Sequence, residues 1–205
     1  MGFFAAGECA CVSVHGGNRL GTNSLLDAVV FGERAGKSVL EYARGKDFGN
    51  VNEGQEKAKV LEKFEDVFQR DGSESYKDIR DDMKEIMMSH CGVFRDAEKL
   101  KVCIDTLKEL QVRFKKGKVT DKGKIFNTEI YEIMELGNML RMAEVIAEAA
   151  LYRKESRGGH SRTDFPKRDD KKFLHHSMVY DSPDGFVIKT KPVVITKFPV
   201  TERTY

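Results

Sequence analysis

Four apolar stripes at helical spacing between residues 51 and 153 constrain this chain more than any other feature of its sequence. Val60, Leu61, Phe64, Val67 and Phe68 recur at three- and four-residue steps until Asp71-Gly72-Ser73 interrupts them. Tyr76, Ile79, Met83, Ile86 and Met87 form a second stripe that ends near Cys91-Gly92. Phe94, Ala97, Leu100, Ile104, Leu107, Leu110 and Phe114 form a third, closed by Lys115-Lys116-Gly117, with cations placed favourably at a helix C-terminus. The fourth runs from about Phe126 to Tyr152 through Ile130, Ile133, Met134, Gly137, Leu140, Ile146, Ala147 and Leu151. Joined by short turns, these stripes predict an up-and-down helical bundle and a mainly α chain. Met83, Met87, Met88, Met134, Met139 and Met142 fall at core spacing and read as packing rather than as a ligand groove.

Residues 1–50 differ in kind. Gly7 to Gly32, GECACVSVHGGNRLGTNSLLDAVVFG, reads as a strand, a glycine-rich loop and a helix from Ser24 towards Arg44, with Gly45 placed as its stop. Leu25, Leu26, Val29, Val30 and Phe31 are apolar around more than one face of that helix, which calls for burial on several sides. Asn23 and Ser24 stand at the N-cap position, and the free amides of the first turn attract negative charge. Arg19, four residues before Asn23, adds a guanidinium able to grip a carboxylate or phosphate with two parallel bonds. The bland alternative is a solvated arginine on an ordinary loop. His15 and Asn18 read as loop-shaping groups.

Residues 154–205 change character again. Gly158-Gly159, Pro166, Pro183-Asp184-Gly185, Pro192 and Pro199 exclude long helices, and residues 186–190 and 193–196 read as short strands across a turn. Arg157, His160, Arg162, Asp164, Arg168, Asp169 and Asp170 make a dense polar knot. Its structural reading, an ion-pair cluster pinning the C-terminal segment, outweighs a polar network beside a cofactor, because such groups neutralise one another. His175-His176 are adjacent, which suits no metal site. Cys9, Cys11, Cys91 and Cys103 read as reduced, buried thiols of a cytosolic or matrix-like compartment, with no metal expected.

With 35 Lys and Arg against 33 Asp and Glu, the net charge of +2 gives no global field for nucleic acid or an anionic membrane. No apolar run reaches the length of a membrane span, and the N-terminus lacks a secretion-signal pattern.

The stretch from Gly7 to Asp27 resembles, nearly letter for letter, the flavoprotein subunit of succinate dehydrogenase and its fumarate reductase relatives, with Gly17 where the family more often has alanine. Glu155 to Asp170, ESRGGHSRTDFPKRDD, resembles the family's second signature, and Arg203-Thr204-Tyr205 its usual tail. L-aspartate oxidases share the His-Gly-x-Asn-Arg core but differ around it, so Ser13-Val14 and Gly21-Thr22-Asn23-Ser24 favour the succinate dehydrogenase branch. The family's flavoprotein is roughly three times this length by domain-size reasoning, and no GxGxxG turn follows a strand in this sequence.

The resemblance therefore implies a C-terminal portion, from a split gene or an excised piece: residues 1–50 as the end of an FAD-binding α/β domain, 51–153 as a helical bundle domain, and 154–205 as a segment packing on both. It implies that Arg19 holds a carboxylate of succinate or fumarate, that Glu8, Ser24 and Leu25 bind FAD, and that no catalytic residue lies in this chain. The family's proton-shuttle arginine and its flavin-bearing histidine would lie upstream. FAD would not be held tightly by this chain alone. Implied partners are the N-terminal flavin-binding portion and an iron–sulfur subunit, with self-association a further outcome. The implied location is cytoplasmic or on the matrix side, peripheral on the inner face of a membrane through partner subunits. The fumarate reductase or L-aspartate oxidase branch, or a non-catalytic assembly module derived from the family, are the alternatives.

Overall fold

A computed structural model describes residues 2–49, 52–183 and 185–201. They form two compact units: Met1–Lys57 with Arg157–Gly159, and Ala58–Ser156 with His160–Tyr205. The tail Arg203-Thr204-Tyr205 and the turn residue Asp184 lie outside the described residues.

In the first unit a 3₁₀ turn, Glu8–Ala10, precedes the helix α1, Asn23–Ala43, and α2, Glu53–Phe68, starts here and continues into the second unit. The strand expected over the first residues is not formed: among the described residues, 2–6 join no ladder. An extended segment becomes a strand only where a neighbour supplies backbone partners. Phe4 instead stacks edge-on against Tyr42 near the end of α1, with ring centroids 5.7 Å apart. Helix α1 starts one residue before its expected Ser24 and ends one residue short of Arg44, and Gly45 turns the chain away with φ +70°.

The second unit contains α3 (Tyr76–His90), β1 (Phe94–Arg95), α4 (Ala97–Phe114), α5 (Thr128–Tyr152), β2 (Ser161–Arg162), the one-turn helix α6 (Asp170–Phe173), and the strands β3 (His175–Ser182) and β4 (Gly185–Pro192). Helices α3, α4 and α5 pack on one another around Ile79, Leu100, Cys103, Leu107, Ile133, Leu136 and Ala147, all at or below 1% exposure. Each leucine and isoleucine among them contributes about 1.5–3 kcal/mol through its removal from water. The mainly α bundle expected from the four stripes is present, and side chains cap its helices at their N-termini. Ser75 accepts from Asp78 N, Asp96 from Lys99 N and Asn127 from Ile130 N.

Two stripes pack less than their periodicity suggests. In α2 only Phe64, Val67 and Phe68 reach the core, while Val60 and Leu61 are exposed. Of the methionines, Met83, Met87 and Met134 pack inward and Met88, Met139 and Met142 face out. Phe94 lies in β1, ahead of α4, and is exposed.

The loop after α2 pairs with the loop after α4: Gly72 N donates to Gly117 O and Lys118 N to Glu74 O. A Cβ at residue 72 would lie 1.9 Å from Lys116 O, so this approach admits only glycine.

The hairpin also differs from expectation. Residues 186–190 are in a strand, but their partner is β3, in antiparallel register with Val179 opposite Ile188 and Asp181 opposite Phe186. Residues 193–196 form none, since Pro192 ends the ladder by withholding a donor. The guanidinium of Arg141 lies 3.9 Å from the centre of the Phe186 ring and pairs with Asp181, which seats the hairpin on α5. No helix among the described residues is long and apolar enough to cross a membrane.

Candidate functional site

The loop from Gly7 to Thr22 carries an unusual load of left-handed backbone. Cys11, Ser13 and Thr22 have φ of 46°, 70° and 66°, alongside Gly7 and Gly16 at 79° and 64°. Non-glycine residues occupy this region at a cost, and such residues cluster where geometry is functional.

Two contacts hold the loop. His15 Nε2 lies 2.9 Å from Oδ2 of Asp27, a buried side chain on α1, so the imidazole N–H donates to the carboxylate. Further on, Gly17 O accepts from Gly159 N at 3.0 Å. The two glycine-containing motifs, some 140 residues apart in sequence by their numbering, therefore meet backbone to backbone. Gly17 itself matters here: a Cβ would lie 3.0 Å from both Cγ and O of Arg157, so alanine would require the neighbouring chain to give by a few tenths of an ångström.

Arg19 follows the second contact. It is exposed and has no hydrogen bond or ion pair among the described residues, leaving its five N–H donors available. The N-cap of α1 is Thr22, one residue before the expected Asn23 and Ser24. Its hydroxyl bonds to Gly21 O at 2.7 Å, and no side chain caps the helix. The start of α1 thus keeps its positive end unneutralised by any capping side chain. Ser24 is half-buried in the first turn and Leu25 is 70% exposed beside it. Glu8 is exposed on the 3₁₀ turn, and Gly7 ahead of it packs against Ala28 of α1. Glu8, Arg19, Ser24 and Leu25 all belong to the first unit, on the loop and helix start just described.

The polar knot divides. Arg157 goes with the loop. In the second unit Arg162 is 1% exposed, grips Asp164 with two bonds of 2.7 and 2.6 Å, and donates to the carbonyls of Ala150, Leu151 and Arg153 at 3.0–3.3 Å. It is a buried cation closing the C-terminal end of α5, where orphan carbonyls and the helix dipole both favour positive charge. The same guanidinium holds the Asp164 carboxyl below the usual carboxylate range. Burial pushes the His160 imidazole down, and the nearby Arg95, Arg162 and Arg153 push it further against the raising effect of the Arg153 carbonyl. Glu155, fully buried, accepts from Arg153 Nε and Asp169 N, both at 2.8 Å.

All four cysteines are free, but only Cys91 and Cys103 are buried; Cys9 and Cys11 are exposed, unlike the uniform burial expected. The neighbouring Cys103 thiol lowers the pKa of Cys91 against the raising effect of burial. Among the described residues no cluster of His, Cys, Asp or Glu is arranged to hold a metal ion.

Sequence reasoning passed over Asp27 and the contact of Gly158-Gly159 with Gly17. The first had a signal, a lone carboxylate inside the run LLDAVVF. The second had none.

Comparison with known proteins gives the chain a family. Residues 80–205 match the family model for the C-terminal region of fumarate reductase flavoproteins. The fumarate reductase flavoprotein subunit of Escherichia coli is 42% identical over 210 residues, which is 100% of this chain and 35% of its own length. The succinate dehydrogenase flavoprotein subunit of Rickettsia bellii is 39% identical over 196 residues, 95% of this chain and 33% of its own length. A solved structure of E. coli quinol fumarate reductase superposes with a TM-score of 0.88 at 42% identity, covering 96% of this chain and 34% of that one. The chain belongs to the fumarate reductase and succinate dehydrogenase flavoprotein family, and spans about a third of the length of the relatives it matches.

Proposed function

We propose that this chain supplies the Arg19 side of the dicarboxylate and flavin site of a succinate dehydrogenase or fumarate reductase. The observation that carries this reading is an exposed Arg19, unpaired among the described residues, on a loop anchored at His15 and Gly17, four residues before a helix start with no side-chain cap. Succinate and fumarate each carry two carboxylates. A planar guanidinium grips one in a fixed orientation, and transfer of hydrogen between substrate and flavin requires that orientation to be held.

FAD is the cofactor this family implies, and the residues fit it: the uncapped α1 start offers amides and a positive end, and the exposed Leu25 offers an apolar edge. Ser24 and Leu25 would face the isoalloxazine and Glu8 the ribityl or adenosine part. The flavin, when bound, supplies the acceptor or donor of the hydride and the route to an iron–sulfur partner. The positive end of α1 then favours the negative charge that accumulates on reduction. In this reading residues 1–50 complete a flavin-binding domain, 51–153 are the bundle domain and 154–205 the C-terminal segment. The exposed Leu25, Leu26, Val29 and Val30 are covered by the flavin-binding portion of the same subunit, and the assembly is peripheral at a membrane through its other subunits.

The test is Arg19→Lys in the flavin-bearing subunit. A point charge cannot reproduce the two-bond grip, so turnover with succinate and fumarate should fall on the order of a hundredfold while flavin is retained. Undiminished turnover would remove Arg19 as the dicarboxylate clamp.

A further inference from the structure

The two contacts that hold the Arg19 loop do more than tidy a surface. Gly158 has φ +59°, and a Cβ there would lie 2.3 Å from both C and O of Gly17 and 2.8 Å from Asn18 N. Those are backbone atoms, which cannot swing away as the tip of a side chain can. The latch between the 157–159 segment and the loop therefore admits only glycine at 158, and it sets the position of the Gly17–Asn18 peptide, one residue ahead of Arg19. With about 3.8 Å between successive Cα atoms, the Arg19 Cα stands within about 8 Å of the latched Gly17. Gly16, by contrast, has nothing within 4 Å of where its Cβ would be, so close packing does not fix the loop there.

Four residues before Arg19, His15 is tied to Asp27. Oδ2 of that carboxylate takes the histidine, while its buried Oδ1 has no hydrogen-bond partner among the described residues. A half-satisfied buried carboxylate on a helix is costly, and an apolar residue in its place would serve α1 better. What Asp27 secures is the place of His15.

We infer that Gly158 and Asp27 are positioning residues for Arg19, holding its loop at Gly17 and at His15 so that the Arg19 backbone, and with it the reach of the guanidinium, is set. This rests on the reading of Arg19 as the dicarboxylate clamp. The second glycine motif would then act on substrate binding without touching substrate.

The experiment has two arms. In the chain itself, Gly158→Ala should raise hydrogen exchange at the latch, read at the Gly159 amide that donates to Gly17 O, about tenfold or more while α3, α4 and α5 keep their protection. In the flavin-bearing subunit, the same change should raise KM for succinate about tenfold with flavin content kept, and Arg19→Lys combined with Gly158→Ala should be no worse than Arg19→Lys alone. Asp27→Asn keeps shape but weakens the tie to His15, and should move exchange and KM in the same direction by a smaller factor. It also carries the test if Gly158→Ala fails to fold. Unchanged exchange in both variants would overturn the latch. A loosened loop with unchanged KM, in a subunit where Arg19→Lys does lose activity, would overturn the inference alone. If Arg19→Lys itself has no effect, the dicarboxylate reading fails and this inference falls with it.

Discussion

Helices α1 and α5 are both long and apolar, yet they meet opposite fates. Eight residues of α5 are buried, from Ile130 to Ala150, against one in α1, and that one is Asp27. Along α1 the side chains of Leu25, Leu26, Val29 and Leu40 are each more than half exposed. The ends differ likewise: α5 opens with Asn127 accepting from Ile130 N and closes on the buried Arg162, whereas α1 opens with no side-chain cap. Apolar sequence states a demand for cover; only the neighbouring elements show whether it is met. Helices α3, α4 and α5 meet that demand among themselves, whereas the apolar side chains at the start of α1 stay exposed.

That contrast can be broken by substitution. The largest effect is expected at Arg162, where Arg162→Ala leaves the α5 carbonyls and Asp164 without their cation and should cost about 3–5 kcal/mol in denaturant unfolding of the chain. Leu136→Ala, at 0% exposure, should cost about 2–5 kcal/mol. Leu25→Ala on α1 should stay within about 0.5 kcal/mol in the same assay. A cost for Leu25→Ala near that of Leu136→Ala would show that α1 is already covered.

The caps give a finer version of the comparison. Asn127→Ala should lower stability by about 1 kcal/mol, and Thr22→Ala, whose hydroxyl bonds to Gly21 O rather than to a helix amide, by less than half of that. Equal losses would mean that Thr22 does cap α1.

The smallest effect is a pH dependence confined to the second unit. His160 binds its proton less readily when folded than when unfolded, so the unfolded chain takes up more protons between the two pKa values. Stability should therefore fall as pH drops through the ordinary histidine value of about 6.5 and level off below the depressed folded value. His160→Asn should flatten that slope, read from denaturant midpoints between about pH 7 and 5. Asp164 acts in the same direction at more acid pH, since protonation through its lowered value releases Arg162. An unchanged slope in His160→Asn would place the dependence elsewhere.

How much of this was legible in the sequence follows from how local each cause is. Helices α3, α4 and α5 could be read because their apolar spacing is encoded within a few residues; their caps Ser75, Asp96 and Asn127 are just as local but went unread. The pairing of β3 with β4 was hidden because His175, His176, Ser177 and Asp181 dilute the alternation, while Val193-Val194-Ile195 imitates a strand beyond the proline that ends one. The inactive half of α2 was hidden too, since Val60 and Leu61 keep the helical period but have nothing to pack on. At the site, the glycine loop and Arg19 were visible as residue types, but the meeting of Gly17 with Gly158-Gly159 depends on the fold between them. Arg162 as the cap of α5 is likewise a contact that only tertiary structure creates.

The most direct test of the central claim, that α1 and the Arg19 loop form a wall completed by the flavin-binding portion of the subunit, is amide hydrogen exchange of the same residues in two states. In the 205-residue chain alone, α1 should exchange orders of magnitude faster than α5; in the flavin-bearing subunit, α1 should approach the protection of α5, whose own exchange stays the same. Strong protection of α1 in the chain alone, equal to that of α5, would contradict the account.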